Sequence, residues 1–330
     1  MARAVLGVES TAHTFGVGVC TLGRDIVFNK WHTYTTEQGG IHPREAARHH
    51  AQYGPALIAE ALKHCRDNNL EPAAVACSLG PGLGPCLRTG AVMARALSLS
   101  LQVPLLAVNH SIGHIEVARK YTRTGDPVTL FVSGGNTAVV VFKEGRYRVM
   151  GETLDIALGN MLDVLGREIG FGFPSGPKVL ELAREGSQLL ELPYSVKGQD
   201  LSFSGLLTHC TRLLKSGARL QDVCMSAVET AFAMVVETVE RTLALTGKTE
   251  VSLTGGVARS LRLAQMLEAM CSQRGASLSV VPAELSGDNG AMISYVGSLM
   301  FGVDQPVKPE ESRVVPRWRI EQFPISWRSS

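Results

Sequence analysis

At 330 residues the chain is long enough to bury a large core, and its length suggests one or two domains. Apolar residues make up 45% and charged residues 19%, ordinary for a folded globular protein, and a net charge of +2 excludes a binder that works by bulk positive charge. The seven cysteines are scattered and form no C-x-x-C, which fits buried thiols in a reducing compartment. No apolar run is long enough to span a bilayer, so the chain reads as cytoplasmic.

Ala4 to Val8 is a continuous apolar run, the mark of a buried strand. A polar turn, Glu9 to Thr14, leads to a second strand over Phe15 to Cys20, and Gly23-Arg24-Asp25 turns into a third from Ile26 to Tyr34. Pro43 opens a long helix to about Cys65, with Ala46, Leu57, Ala61 and Leu62 on its apolar stripe. Val75 to Leu79 is a buried strand closed by Gly80-Pro81-Gly82-Leu83-Gly84; a helix from about Arg88 to Leu101 and a short strand from Leu105 follow. His110 and His114 then stand at i and i+4, so on a helix both rings project from one face, a spacing at which two imidazoles can share a metal ion. Paired histidines near a helix start also cap, pack or face solvent, and the spacing alone does not choose between these readings.

After Gly125-Asp126-Pro127 the pattern starts again. Val128 to Val132 is an apolar strand, Ser133-Gly134-Gly135-Asn136 a tight turn, Thr137 to Phe142 the returning strand and Tyr147 to Thr153 a third. Helices dominate from Asn160 to Thr246, the longest from about Leu220. Val251 to Thr254 is a strand ending in Gly255-Gly256, followed by a helix from about Ser260 to Arg274. A strand from Leu278 to Val281 leads to Gly287-Asp288-Asn289-Gly290 and a last helix to about Phe301. Both halves run meander, helical section, strand closed by glycines, helix, strand, helix. That order reads as a duplicated α/β domain with a ligand cleft between its copies.

The polar hairpin turns at Glu9 to Thr14 and Ser133 to Asn136 are of the kind that presents backbone N–H groups to phosphate oxygens, and Gly255-Gly256 offers main chain at a strand end. Glycine is frequent in the chain, 34 residues, and many glycines fall at strand ends, which points to loops that a ligand approaches closely. The Walker A pattern, the G-x-G-x-x-G fingerprint, H-E-x-x-H and the G-x-S-x-G elbow are all missing, which removes the main support for P-loop, Rossmann, metalloprotease and α/β-hydrolase readings. Arg44, Arg48, His49 and His50, and separately Arg313, Arg317, Arg319 and Arg328, form basic clusters that suit either a nucleic-acid patch or a solvated face with a ragged tail.

Five motifs in order carry a family resemblance over nearly the whole chain. They are Gly7-Val8-Glu9-Ser10-Thr11-Ala12-His13-Thr14, Asn109-His110-Ser111-Ile112-Gly113-His114, Phe131-Val132-Ser133-Gly134-Gly135-Asn136-Thr137, Thr254-Gly255-Gly256-Val257 and Asp288-Asn289-Gly290-Ala291-Met292-Ile293. Together they resemble the tRNA N6-adenosine threonylcarbamoyltransferase family, also called the O-sialoglycoprotein endopeptidase family. The first motif and Gly40-Ile41-His42-Pro43-Arg44 resemble its archaeal and eukaryotic branch, the catalytic subunit of the KEOPS complex.

The resemblance implies a duplicated actin-like ATPase fold, shared with sugar kinases and heat-shock chaperones, in which two ribonuclease-H-like domains face a central cleft. Residues 1–124 would form the domain with the histidine pair, and 125–330 the domain with the nucleotide turns and Asp288. It further implies one divalent metal ion, iron or zinc, on His110, His114 and Asp288. ATP or an adenylate-type ligand would contact Phe131, Val132, Ser133, Gly134, Gly135, Asp163, Gly176, Leu180, Gly255, Gly256 and Ser260. Three of these positions depart from the family pattern: Phe131 replaces a tyrosine able to reach the metal, Ser260 an asparagine and Leu180 a glutamate. In isolation Asp288 is also a candidate cap of the last helix, and Asp163 a candidate surface residue.

The implied reaction moves the threonylcarbamoyl group of threonylcarbamoyl-AMP to N6 of the adenosine 3′ to the anticodon, position 37, in tRNAs reading codons that begin with A. The implied partners are tRNA and the KEOPS subunits: a small kinase-like subunit, a dimer-promoting subunit and a regulatory subunit. A small-molecule kinase of the same fold, or a non-enzymatic ATP-dependent interaction module, is the alternative reading. A protease is disfavoured because no carboxylate stands between the histidines.

Overall fold

The computed structural model describes residues 1–328. Strands β1 (Ala2–Glu9), β2 (Thr14–Thr21) and β3 (Ile26–Thr33) form an antiparallel meander. Helix α1 (Pro43–Asp67) crosses to β4 (Leu70–Gly80), parallel to β1, and α2 (Gly84–Leu101) crosses to β5 (Leu105–Asn109), parallel to β4. The sheet order is β3-β2-β1-β4-β5, and α3 (His110–Thr122) follows directly. The second half repeats the meander as β6 (Val128–Val132), β7 (Thr137–Lys143) and β8 (Arg146–Glu152).

Its first crossover is long. It holds α4 (Leu158–Glu168), α5 (Gly176–Ala183), a small hairpin of β9 (Val196–Lys197) and β10 (Asp200–Leu201), α6 (Ser204–Lys215) and α7 (Leu220–Thr246). Then come β11 (Glu250–Thr254), parallel to β6, α8 (Leu261–Arg274), β12 (Ser277–Val280), α9 (Ala283–Ser286) and α10 (Gly290–Met300). The second sheet is ordered β12-β11-β6-β7-β8. Counted within each half and from the meander edge, both sheets run third, second, first, fourth, fifth strand, so the duplication read from strand order is present in the topology.

The elements stack in five layers. Leu6, Val8, Phe15 and Val17 pack under α1 and α2; the opposite face of the first sheet, with Val5, Ala76 and Val108, meets α3 and α10. Ala138, Val140 and Phe142 of the second sheet close on those same two helices, and Leu130, Val132, Val251 and Leu253 face α4 to α8. Helix α10 carries no charged residue, and each of its residues is buried, as expected of a helix enclosed on all sides. It follows the second half in sequence yet lies against β1 and β2, at backbone distance: a Cβ on Gly290 would sit 2.2 Å from the Gly18 nitrogen, and one on Gly7 2.2 Å from the Ser294 nitrogen. Gly7, Gly16 and Gly18 therefore serve helix packing.

The C-terminal tail is not ragged. Val307 and Val315 donate backbone hydrogen bonds to Leu105 and Leu79 (2.9 and 2.7 Å), and the Arg328 guanidinium lies 3.9 Å from the Phe142 ring centroid and donates to the Tyr147 hydroxyl (2.9 Å). Arg319 pairs with Glu152 at 3.0 Å, while Arg313 and Arg317 are exposed. In the other basic cluster, Arg44 and Arg48 are exposed, whereas His50 is fully buried and donates from Nε2 to the Ala12 carbonyl at 3.0 Å. Among the described residues no helix is long and apolar enough to cross a membrane.

Candidate active site

Two helix starts meet in the central layer. Asn109, the last residue of β5, caps α3: its Oδ1 accepts from the Ser111 and Ile112 nitrogens (3.0 and 3.4 Å), and its Nδ2 donates to the Trp318 carbonyl at 3.2 Å. Helix α3 thus begins at His110, and His114 follows one turn on, both buried. At α10 the cap is Asn289, whose Oδ1 accepts from the Met292 nitrogen at 3.0 Å. Asp288 is therefore free of the capping role open to it in the sequence. Its Oδ1 lies 3.2 Å from His114 Nε2 and 3.6 Å from His110 Nε2. One ligand atom from each of the three residues falls within 4.8 Å of the others, a two-imidazole, one-carboxylate donor set that fits a divalent metal ion.

The charges around this set are uneven. Burial alone would push the His110 imidazole down, but the Glu9 and Asp288 carboxylates outweigh it and carry it up to about 9. Burial holds His114 below its ordinary value against the hydrogen bond it donates to Asp288. Burial works against the Asp288 carboxylate too, and the two histidines still keep it well below the usual range. Phe131, fully buried, places its ring centroid 4.9 Å from that of His114 and offers no ligand atom.

A cleft of about 1390 Å³ opens above the triad between the halves. Of the residues expected to bind a nucleotide, Ser133, Gly134, Gly135, Asp163, Gly176, Leu180, Gly256 and Ser260 line it, together with His110 and Asp288. Phe131, Val132, Gly255 and His114 stand behind the wall: Phe131 and Val132 are buried strand residues, and Gly255 has φ +97° with the Val132 carbonyl 2.2 Å from where a Cβ would sit. Gly134, Gly135 and Gly256 differ from it. A Cβ on any of them would meet no protein atom within 4 Å, and none has a left-handed φ. Neither packing nor backbone conformation asks for glycine there.

The turns are partly filled by the chain itself. In the first, the Glu9 carboxylate accepts from the Thr11 nitrogen (2.6 Å) and hydroxyl (2.5 Å), so the anion held by that turn is the protein's own. In the second, Ser133 Oγ accepts from the Gly135 and Asn136 nitrogens (3.3 and 3.0 Å), and the Ser133 nitrogen donates to the Asn136 carbonyl (2.8 Å). This leaves the Gly134 N–H uncommitted among the described residues. Asp163 is buried, and its Oδ1 accepts from the Ser175 and Gly176 nitrogens (2.8 and 2.7 Å), orienting the start of α5. Ser260 Oγ caps α8 through the Leu263 nitrogen at 3.4 Å.

Four residues of the site were not singled out from the sequence. Glu9 bonds His110 Nδ1 at 2.9 Å, Thr11 bonds the same atom at 3.1 Å, and His13 Nδ1 lies 4.0 Å from Asp288 Oδ2. Arg259 donates to the Ala283 carbonyl and to Ser286 Oγ, pinning the turn before Asp288. Glu9, Thr11 and His13 lie in the polar turn of the first motif, and Glu9 also ends an otherwise apolar run; Arg259 carried no signal of its own.

Two sheets of this order around a cleft define the class. Among solved structures, T. kodakarensis HypF superposes with a TM-score of 0.64 at 14% identity, covering 90% of this chain and 47% of that one. The activator of the 2-hydroxyisocaproyl-CoA dehydratase from Clostridium difficile superposes with a TM-score of 0.53 at 12% identity, covering 89% and 94%. The fold is that of the actin-like ATPases. Within it, the model of the family TsaD, tRNA N6-adenosine threonylcarbamoyltransferase, matches residues 25–295, and the chain belongs to that family. A tRNA N6-adenosine threonylcarbamoyltransferase of Thermofilum pendens is 55% identical over 329 residues, 99% of this chain and 98% of that protein. A probable bifunctional tRNA threonylcarbamoyladenosine biosynthesis protein of Methanothermobacter thermautotrophicus is 51% identical over 325 residues, and this chain spans 60% of its length.

Proposed function

We propose that this chain transfers the threonylcarbamoyl group from threonylcarbamoyl-AMP to N6 of the adenosine at position 37 of tRNAs reading codons that begin with A, acting in the cytoplasm. Beyond family membership, one observation carries the reading. His110 and His114 from the first half converge with Asp288 from the second at the floor of a cleft walled by Gly134, Gly135 and Gly256. In the reaction N6 attacks the carbamoyl carbon, the bond from that carbon to the phosphate oxygen breaks, AMP leaves, and the amine proton passes to solvent. An exocyclic amine is a poor nucleophile, so the site must hold the donor in line.

A divalent ion, iron or zinc, held by His110, His114 and Asp288 would supply Lewis acidity at the donor's oxygens. The uncommitted Gly134 N–H suits the leaving phosphate, a charge that backbone donors stabilise best in an enclosed site. Asp163, with Oδ1 engaged, offers its other oxygen to a ribose hydroxyl, while Gly176, Gly256, Ser260 and Leu180 flank the nucleoside. Leu180 contributes shape alone, and Ser260 a hydroxyl already shared with a helix cap. Phe131, Val132 and Gly255 act from behind the wall, holding the turn and the metal histidines in register. An unpaired anticodon-loop base reaches such a cleft without melting a duplex. ATP or another adenylate would occupy the same wall, and the KEOPS subunits, kinase-like, dimer-promoting and regulatory, are the proposed protein partners.

The test is to supply threonylcarbamoyl-AMP and unmodified tRNA to the purified chain with those partners and to quantify modified adenosine by nucleoside mass spectrometry. Transfer is expected from the wild type; His110→Ala and His114→Ala should each lose bound metal and transfer while keeping the wild-type circular dichroism spectrum. Full transfer by the metal-free double variant would remove the assignment.

A further inference from the structure

His110 and His114 differ in what holds their second nitrogens. His110 Nδ1 faces Glu9 Oε2 at 2.9 Å and Thr11 Oγ1 at 3.1 Å. The Thr11 hydroxyl proton is already directed to Glu9 Oε1 at 2.5 Å, and the same oxygen accepts from the Thr11 nitrogen at 2.6 Å. Both neighbours of Nδ1 are therefore acceptors, and Nδ1 must be the donor. That leaves Nε2, on the side of Asp288, as the nitrogen that gives up its proton to a metal while Nδ1 keeps its own. Glu9 is fully buried, as is Thr11 to within 2%, so solvent does not compete for these bonds. The Nδ1 of His114 is also buried but has no hydrogen-bond partner among the described residues. One ring of the pair is fixed in tautomer and orientation, and the other is not.

We propose that Glu9 is the positioning residue of the metal centre: through Nδ1 it fixes the tautomer of His110 that presents Nε2 toward Asp288. Ligating histidines commonly depend on such a carboxylate, and its loss typically weakens metal binding 10- to 100-fold. The inference rests on the metal reading given above. It makes a specific demand on Glu9→Gln, which keeps size and shape. Two donors from Thr11 claim the amide oxygen, which turns the NH2 group toward His110. Nδ1 then becomes an acceptor, the ring proton moves to Nε2, and the ligand atom is blocked.

The experiment titrates the metal-free full-length chain with Co2+ and reads its visible d–d absorption, with thermal unfolding run in parallel. Glu9→Gln is expected to keep the wild-type circular dichroism spectrum with a lowered melting temperature, to bind Co2+ roughly 10- to 100-fold more weakly and to show an altered d–d spectrum. In the metal-free variant at pH 8, imidazole 15N resonances should place the His110 proton on Nε2. Thr11→Val, which leaves the carboxylate in place, guards against a variant that fails to fold; it should weaken Co2+ binding several-fold, because Oε1 loses a donor and the carboxylate its fixed orientation. Wild-type affinity and spectrum in either folded variant overturns the proposal. His114→Ala separates this from failure of the metal reading, for if it keeps the wild-type Co2+ spectrum the triad itself is not the metal site.

Discussion

Phe131 stands where the family resemblance implies a tyrosine, beside the proposed metal triad. Its ring lies against His114, with centroids 4.9 Å apart at a tilt of 31°, which makes a hydroxyl on that ring a candidate fourth donor. Phe131→Tyr is therefore expected to tighten metal retention several-fold and to shift the Co2+ spectrum; an unchanged spectrum would mean that the ring edge points away from the ion. His50 makes a second residue-scale prediction, this one about stability. Burial, with His49 adding to it, lowers the His50 imidazole from 6.5 to about 4, outweighing the hydrogen bond to the Ala12 carbonyl. The unfolded chain then binds the proton more tightly than the folded one. The stability due to neutral His50 is complete above pH 6.5, declines as pH falls toward 4 and is flat below that, a total of roughly 3 kcal/mol. Urea unfolding at pH 7 and pH 4.5 checks this: the advantage of wild type over His50→Gln should shrink by roughly 2 kcal/mol, most of that total.

At the scale of elements, glycines of opposite purpose sit on either side of the cleft. Gly290 starts α10 against β2, and a methyl group there would lie 2.2 Å from backbone that cannot yield. Gly290→Ala should cost about 3 kcal/mol or more in chemical denaturation and loosen the metal, since Asp288 is two residues away. Gly256 faces open space with an unstrained φ, so Gly256→Ala should change stability by less than about 0.5 kcal/mol. It should nevertheless raise the KM for threonylcarbamoyl-AMP about tenfold, roughly 1.4 kcal/mol of binding. An unaltered KM would place the donor elsewhere. Element boundaries moved little from their sequence positions, and where they did, local chemistry accounts for it. Helix α2 starts at Gly84, a turn before Arg88, because Pro85 is suited to a first helical turn. β4 begins at Leu70, earlier than its apolar core, because it pairs along β1 from Ala2.

At the scale of the molecule, the two halves are joined by segments that leave one and pack on the other. Helix α10 is the first. The C-terminal tail is the second: Arg328 stacks on Phe142 of β7 and donates to Tyr147 of β8, whose hydroxyl donates to the buried Glu116 of α3 at 2.7 Å. Arg119 completes the set by donating to Glu116 at 2.9 Å. Arg328→Ala removes a cation–π contact and a hydrogen bond in one step and should lower stability by about 2 kcal/mol in urea denaturation. A loss within about 0.5 kcal/mol would mean that the tail rides on the surface without bracing the halves.

Periodicity and order along the chain determined the strands, the long helices and the repetition of the fold, because apolar runs and turn residues act locally and the second half restates the first. The five motifs determined the family, and the i, i+4 spacing of His110 and His114 put both rings on one helical face. What only the tertiary structure decided depends on groups far apart in sequence. Asp288 is free to face the histidines because Asn289 takes the cap, and Glu9 reaches His110 across about a hundred residues. The first turn holds its own carboxylate where the sequence suggested a phosphate, and glycines inside β1 and β2 admit a helix. A lone acidic residue or a glycine reads the same in sequence whatever comes to lie against it; its role is set by the neighbour that folding brings within a hydrogen bond or a van der Waals radius.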